Sequence, residues 1–414
     1  MQYILHAPKS LHGKILLPAS KSISNRALIL NALANKDNPD KELQVIENLA
    51  DCDDTNVLVE ALRFKTNRID IKAAGTAMRF MTAFLATQEG TWEITGSQRM
   101  KNRPIRVLTE ALNRLGAEIK YIEKEGFPPL RILGKKIMGG EIDIEGNISS
   151  QYLSALLMLG PTMQKGLCLH IQGKLISKPY LRMTLEMMQE FGVKAEYLNQ
   201  SITIEPQQYQ IRFFKVESDW SGASYWYQML CLAQDGAIEL EGLYPDSLQG
   251  DARVASWFEE LGVHTEYMEW GIRLTKVAQA SQTFTADFTD QPDLAQTFAV
   301  ACALKGIPFR LSGLQSLKIK ETDRIQALIN ESRKIGFLLT EKDGNILEWN
   351  GEQVDCIPEP SIETYEDHRM AMAFAPAAFK IKNLRINHPD VVSKSYPTFW
   401  SDLKSSGFII DSEA

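Results

Sequence analysis

Acid–base work on an anion needs a carboxylate held among cations, and two short stretches of this chain bring those residue types together. In Lys318-Ile319-Lys320-Glu321-Thr322-Asp323-Arg324, five charged residues fill seven positions directly before an apolar-periodic run. Glu321 and Arg324 are three apart and would share one helix face. Lys320 beside Glu321 would supply a proton-transfer pair if the site is dry. In Tyr365-Glu366-Asp367-His368-Arg369-Met370-Ala371-Met372, a His-Arg pair opens an apolar helix beside the free donors of its first turn. Two further stretches could hold the anion. Pro18-Ala19-Ser20-Lys21-Ser22-Ile23-Ser24-Asn25-Arg26 leads into Ala27-Leu28-Ile29-Leu30, so Lys21 and Arg26 flank a helix start that Ser22 or Ser24 can cap. Orphan N–H groups, hydroxyls and two cations make that start a place for a phosphate or carboxylate. Arg103, just before Pro104 at another helix start, offers a guanidinium fork to the same groups.

Each stretch also reads plainly as a capped helix with a solvated entrance, a common arrangement. Repetition argues against that reading. A polar start feeding an apolar helix appears at Ser24, Thr76, Ser149, Ser221, Asp293 and Asp367, and subtracting these positions gives spacings of 52, 73, 72, 72 and 74. A second helix follows each start, with examples at Ile105 to Leu115, Tyr180 to Phe191, Asp251 to Leu261 and Thr322 to Ile335. These run into Gly116, Gly192, Gly262 and Gly336 at the stop position. Short alternating strands such as Glu141-Ile142-Asp143-Ile144 and Ala237-Ile238-Glu239-Leu240 lie between. The unit is two helices plus several strands, used six times, and the short first interval predicts that the first unit has lost a hairpin.

The elements that must position the charged residues are therefore six α/β (α+β) units. They divide three and three, with a boundary near Lys215 to Asp219: a first domain over 20–217, and a second over 1–19 plus 218–414 into which the strand Tyr3 to Ala7 would pair. A chain of 414 residues with 44% hydrophobic and 23% charged residues has the bulk for two such domains. A net charge of −7 argues against nucleic acid as partner, so basic sites must be local. Met1 to Ser10 has no cleavable apolar core and no run reaches membrane-span length, so the chain reads as cytoplasmic. Five cysteines without a CxxC pair, and scattered histidines, point to neither a disulfide framework nor a metal site. No GxGxxG or Walker loop appears, and no cofactor is expected.

From Gly13-Lys14-Ile15-Leu16-Leu17-Pro18 to Lys394-Ser395-Tyr396-Pro397 the chain resembles the 5-enolpyruvylshikimate-3-phosphate synthases. The motifs are Ser20-Lys21-Ser22 with Asn25-Arg26, Ala74-Gly75-Thr76-Ala77-Met78-Arg79, Arg99-Met100-Lys101-Asn102-Arg103-Pro104, Ser149-Ser150-Gln151, Ser177-Lys178-Pro179-Tyr180, Lys320-Glu321-Thr322-Asp323-Arg324 and Asp367-His368-Arg369. The resemblance implies two similar three-unit domains with helix N-termini facing an interdomain cleft that closes on substrate. It implies a monomer that acts on two small anions, transferring the enolpyruvyl group of phosphoenolpyruvate to the 5-hydroxyl of 3-phosphoshikimate. By the same resemblance Lys21, Ser22, Arg26, Thr76, Ser149, Ser150, Gln151, Ser177, Tyr180, Asp293, Ser316 and Lys320 would hold 3-phosphoshikimate. Lys21, Gly75, Arg103, Gln151, Arg324, His368, Arg369 and Lys394 would hold phosphoenolpyruvate. Asp293 matches the proton acceptor for the hydroxyl and Glu321 the proton donor to the methylene, with Lys21 completing the catalytic set. A carboxylate among cations stays ionised and a donor must hold a proton, so these two are expected in different surroundings.

Three positions depart from the family's pattern: Ala73 and Phe80 stand where Asn and Pro are usual, and Ser316 where some members have Asn. Gly75 would leave room for glyphosate, which in this family occupies the phosphoenolpyruvate site, and Phe80 bears on that room. The nearest rival, enolpyruvyl transfer to UDP-N-acetylglucosamine, would need a Cys five residues before its Arg-Pro, where this chain has Gln98. RNA 3'-phosphate cyclases, with related repeats, are opposed by the acidic charge. A non-catalytic anion binder is opposed by the presence of both Asp293 and Glu321.

Overall fold

A computed structural model of the chain describes residues 1–35, 45–63, 65–279 and 281–413. Contacts divide it into an inserted unit, Ala19–Val216, and a flanking unit, Met1–Pro18 with Glu217–Ala414. Among the described residues there are five four-stranded sheets, each with the same internal plan of one parallel pair extended by antiparallel strands.

In the inserted unit the parallel pairs are Arg68–Asp70 with Gly90–Thr95, and Gly140–Glu145 with Leu167–Gln172. The crossover of each pair is an apolar helix, which hides its backbone polar groups while it spans the sheet face. Four helices, α1 (Lys21–Ala34), α2 (Gly75–Leu85), α3 (Ser150–Leu159) and α4 (Lys178–Glu190), pack against one another. α2 and α3 are the two crossovers. Because a crossover starts beyond the C-terminal end of its first strand, the sequence just before it forms a loop at one rim of the sheet. That geometry delivers Gly75 and Ser149 to helix N-termini.

The flanking unit repeats the plan three times. Its parallel pairs are Ser10–Ile15 with Asp235–Glu241, Phe284–Asp287 with Phe309–Ser312, and Ser361–Ile362 with Leu384–Asn387. The first strand, Gln2–His6, pairs antiparallel with both Leu384–Asn387 and Ile409–Glu413. The helices that matter here are α5 (Trp220–Leu232), α6 (Ala295–Lys305), α7 (Arg324–Lys334) and α8 (His368–Phe374). Every residue of α5 is buried, as expected of a helix apolar on all sides. Phe298 of α6 is the hub of the aromatic core, stacked on Phe284 at 5.1 Å between ring centres and tilted on Phe258 at 4.6 Å.

All four predicted stop glycines, Gly116, Gly192, Gly262 and Gly336, adopt positive φ, the conformation that ends a helix at least cost when no Cβ is present. The sixth sheet has two strands, Ile46–Glu47 and Phe214–Lys215. The first interval, whose shortness predicts a missing hairpin, contains residues 36–44, which lie outside the described residues. One local expectation is corrected. α1 begins at Lys21 with Ser20 as its N-cap residue, and Ser24 lies within it, where its hydroxyl accepts the Ala50 N–H at 3.0 Å instead of capping the helix. Among the described residues no helix is long and apolar enough to cross a membrane.

Candidate active site

The flanking unit holds a dense charge cluster at the starts of α6, α7 and α8. Asp293 sits on a 3-10 turn that enters α6, Arg324 is the first residue of α7, and His368 and Arg369 open α8. An arginine at a helix N-terminus faces an unfavourable dipole. Three carboxylates offset it here. Arg324 Nε donates to Asp367 Oδ2 at 2.7 Å, Nη1 to Asp293 Oδ1 at 2.9 Å, and Nη2 to Glu321 Oε2 at 2.9 Å and to Asp367 Oδ1 at 3.3 Å. The side chain is 2% exposed, and these bonds leave one Nη1 proton for a ligand. Burial pulls the Arg324 guanidinium down, but Asp367, Glu321 and Asp293 together raise it.

Asp293 is the second node. Its Oδ1 meets Arg324 and, at 3.7 Å, Lys320 Nζ; its Oδ2 accepts from Arg369 Nη2 at 3.0 Å. Burial pushes the Asp293 carboxyl up, yet Arg369, Lys320 and Arg324 outweigh it and hold it well below the ordinary carboxylate range. Burial pulls Lys320 down, with Asp293 opposing. Glu321 Oε1 accepts from Lys394 Nζ at 2.8 Å. Lys320 Nζ stands 3.7 Å from Asp293, while Arg324 and Lys394 both donate to Glu321. Lys394 arrives from a 3-10 turn at 389–394.

The two carboxylates share Arg324, while Asp293 also meets Arg369 and Lys320 and Glu321 also meets Lys394. One guanidinium bridges them, and both accept from cations.

In the inserted unit Lys21 Nζ donates to Asp54 Oδ2 at 2.9 Å. Arg26 is buried and committed: Nε to Thr184 Oγ1, Nη1 to the Ser22 carbonyl and Nη2 to Ser154 Oγ, with its plane near the Phe80 and Tyr180 rings at 5.5 and 5.9 Å. Burial lowers its guanidinium to about 10, with Tyr180 opposing. Gln151 Nε2 donates to Thr76 Oγ1 at 3.1 Å, and the Ser149 hydroxyl caps α3 by accepting the Gln151 N–H. Ser150 is the first residue of α3. Ser177, at the start of α4, has φ 55, a conformation non-glycine residues hold only under constraint. Arg103 lies against Gly75, and its Nε is buried with no hydrogen-bond partner among the described residues. Ser22 is half-buried in the first turn of α1, and Ser316 is half-buried on a 3-10 turn at 315–319 of the flanking unit.

Several further side chains hold these residues in place. Arg79 Nη2 and Tyr152 Oη both donate to the Pro104 carbonyl, fixing the loop that carries Arg103. Asp54, Ser154 and Thr184 hold Lys21 and Arg26. Tyr225 and Ser221 hold Arg369. Ser221 stood among the repeated helix starts and Arg79 in a quoted motif, whereas Asp54, Tyr152, Ser154, Thr184 and Tyr225 escaped the sequence reading, Ser154 and Thr184 showing nothing beyond being polar inside an apolar helical pattern.

Cations gathered at helix starts, with Asp293 and Glu321 on one shared guanidinium, fit an enzyme that takes anionic substrates. The profile of the family "EPSP synthase (3-phosphoshikimate 1-carboxyvinyltransferase)" matches residues 5–66 and 64–403. A 3-phosphoshikimate 1-carboxyvinyltransferase of Bacteroides fragilis is 54% identical over 409 residues, spanning 99% of this chain and 98% of that protein. One of Pseudoalteromonas translucida is 36% identical over 428 residues, spanning 95% and 97%. The chain belongs to the EPSP synthase family. A solved EPSP synthase of Acinetobacter baumannii shares the fold, with TM-score 0.75 over 99% of this chain and all of the other at 20% identity.

Proposed function

We infer that this chain transfers the enolpyruvyl group of phosphoenolpyruvate to the 5-hydroxyl of 3-phosphoshikimate and releases phosphate, as a cytoplasmic monomer. The observation that carries the mechanism is Arg324 bridging Asp293 and Glu321. Lys21, Gly75, Arg103, Gln151, Arg324, His368, Arg369 and Lys394 take phosphoenolpyruvate. Lys21, Ser22, Arg26, Thr76, Ser149, Ser150, Gln151, Ser177, Tyr180, Asp293, Ser316 and Lys320 take 3-phosphoshikimate. Arg26 contributes at most its remaining Nη1 proton, because Nε, the other Nη1 proton and both Nη2 protons go to Thr184, the Ser22 carbonyl, Ser154 and the Tyr180 carbonyl within the unit.

An anionic substrate that bonds Arg324 and Lys394 withdraws two donors from Glu321, whose carboxyl then takes up a proton. Glu321 delivers that proton to the methylene carbon, and positive charge develops at the neighbouring carbon. The 5-hydroxyl attacks there, and its proton passes to Asp293, kept ionised by Arg369, Lys320 and Arg324. In the second half the ionised Glu321 removes a proton from the new methyl group, the C–O bond to phosphate breaks, and the double bond re-forms. Asp293 returns its proton to the leaving phosphate. Helix-start donors and fixed cations stabilise the charges that move.

Release of inorganic phosphate should require both 3-phosphoshikimate and phosphoenolpyruvate. Release with UDP-N-acetylglucosamine in place of the first would overturn the assignment. A Cβ on Gly75 would stand 2.6 Å from Arg103 Nη1, so Gly75→Ala must displace that guanidinium. The variant should show a several-fold higher KM for phosphoenolpyruvate and a larger loss of inhibition by glyphosate, the longer occupant we propose for the same place. Steady-state kinetics with the inhibitor varied would detect an unchanged ratio, which would sink this reading of Gly75.

A further inference from the structure

Arg369 has a second carboxylate behind it that acid–base chemistry does not use. Asp251 lies on a 3-10 turn, Gly250–Arg253, and is buried. Its Oδ2 accepts from Ser221 Oγ, and Arg369 Nη2 points at the same hydroxyl oxygen at 3.4 Å while donating to Asp293 at 3.0 Å. Gln249 fixes the turn: its Nε2 donates to the Ser218 carbonyl at 2.7 Å and its Oε1 accepts the Trp220 N–H at 3.1 Å. Asp251 and Ser221 are thereby set against each other by the start of α5.

We infer that Asp251 is a positioning residue of the reaction, acting through the Ser221 hydroxyl on Arg369. A hydroxyl has one proton. With that proton committed to Asp251, the Ser221 lone pairs face the guanidinium, and Arg369 is steered to the place where it meets Asp293 and, by the proposed function on which this inference rests, phosphoenolpyruvate. The groups facing Asp251 are Asp293 before α6, Arg369 on α8, Ser221 on α5 and Asp219 at the N-cap of α5. Burial pushes the Asp251 carboxyl up to about 7, Asp293 and Asp219 add to that, and Arg369 and Ser221 oppose it. Below that pH the turn contributes orientation without charge. Above it a negative charge stands behind the guanidinium and competes with an anionic substrate.

The test is steady-state kinetics at pH 6 on Ser221→Ala, Asp251→Ala and the double variant. Loss of a hydrogen bond to a charged group predicts a KM for phosphoenolpyruvate raised roughly tenfold in each, with smaller changes in kcat and in the KM for 3-phosphoshikimate. The double variant should be no worse than either single one, since both break one relay. Asp251→Asn keeps an acceptor oxygen and should recover most of the lost affinity, even if Asp251→Ala folds poorly. Its KM should stay flat between pH 6 and 8 relative to wild type, whose KM rises. Additive single effects, or an unchanged KM in Ser221→Ala, would overturn the inference. Arg369→Met separates the two readings: an unchanged KM there removes Arg369 from the phosphoenolpyruvate site and defeats the proposed ligand set itself.

Discussion

Asp293→Asn and Glu321→Gln should each lower kcat by roughly 10² to 10⁴-fold, the range a general acid or base step contributes. Binding should survive. Asp293→Asn removes one negative charge from among Arg369, Lys320 and Arg324, so the site becomes more cationic and its hold on anions is kept or strengthened. Glu321→Gln keeps acceptor capacity toward Arg324 or Lys394 but has no acidic proton for carbon. Calorimetric titration with 3-phosphoshikimate beside turnover separates the two effects. Near-wild-type turnover in either variant removes that residue from its role.

Arg324→Met should combine lost activity with lost stability. The guanidinium bonds three carboxylates at once, and removing one partner of a buried ion pair typically costs about 3–5 kcal/mol because charges are left uncompensated. Differential scanning calorimetry should show a lower Tm that partly recovers in mild acid, where the stranded carboxylates protonate. A Tm equal to wild type would mean the cluster is solvated. In the wild type, the Asp293 carboxyl is held below its ordinary value of 3.8. Its share of stability is therefore present above about pH 4 and lost as pH falls through its folded value.

The parts of the fold that were legible in the sequence are those set by neighbours along the chain. Apolar helix patterns, the strand alternation and the glycines at positive φ are local, and Gly116, Gly192, Gly262 and Gly336 show it. The bridge from Arg324 to Asp293 was not legible, since those residues open two different helices of one unit, 31 positions apart, and only the fold brings the helix starts together. Lys394 was placed by resemblance, yet its bond to Glu321 depends on a distant turn. Ser24 misled for a physical reason. A serine near a helix start is an N-cap by propensity, but here a buried N–H of Ala50 claimed its hydroxyl. Phe80 reads as an irregular substitution in sequence, whereas in the fold it is buried with its ring 5.5 Å from the Arg26 guanidinium, a contact available to an aromatic ring and not to a proline.

The account turns on protonation of the methylene carbon by Glu321, and turnover of both substrates in D2O tests that most directly. Addition makes a CH2D group and elimination removes one of its hydrogens, so most of the enolpyruvyl product should carry deuterium on its methylene, seen by mass spectrometry at the wild-type rate. Product formed at that rate with an unlabelled methylene would contradict the account.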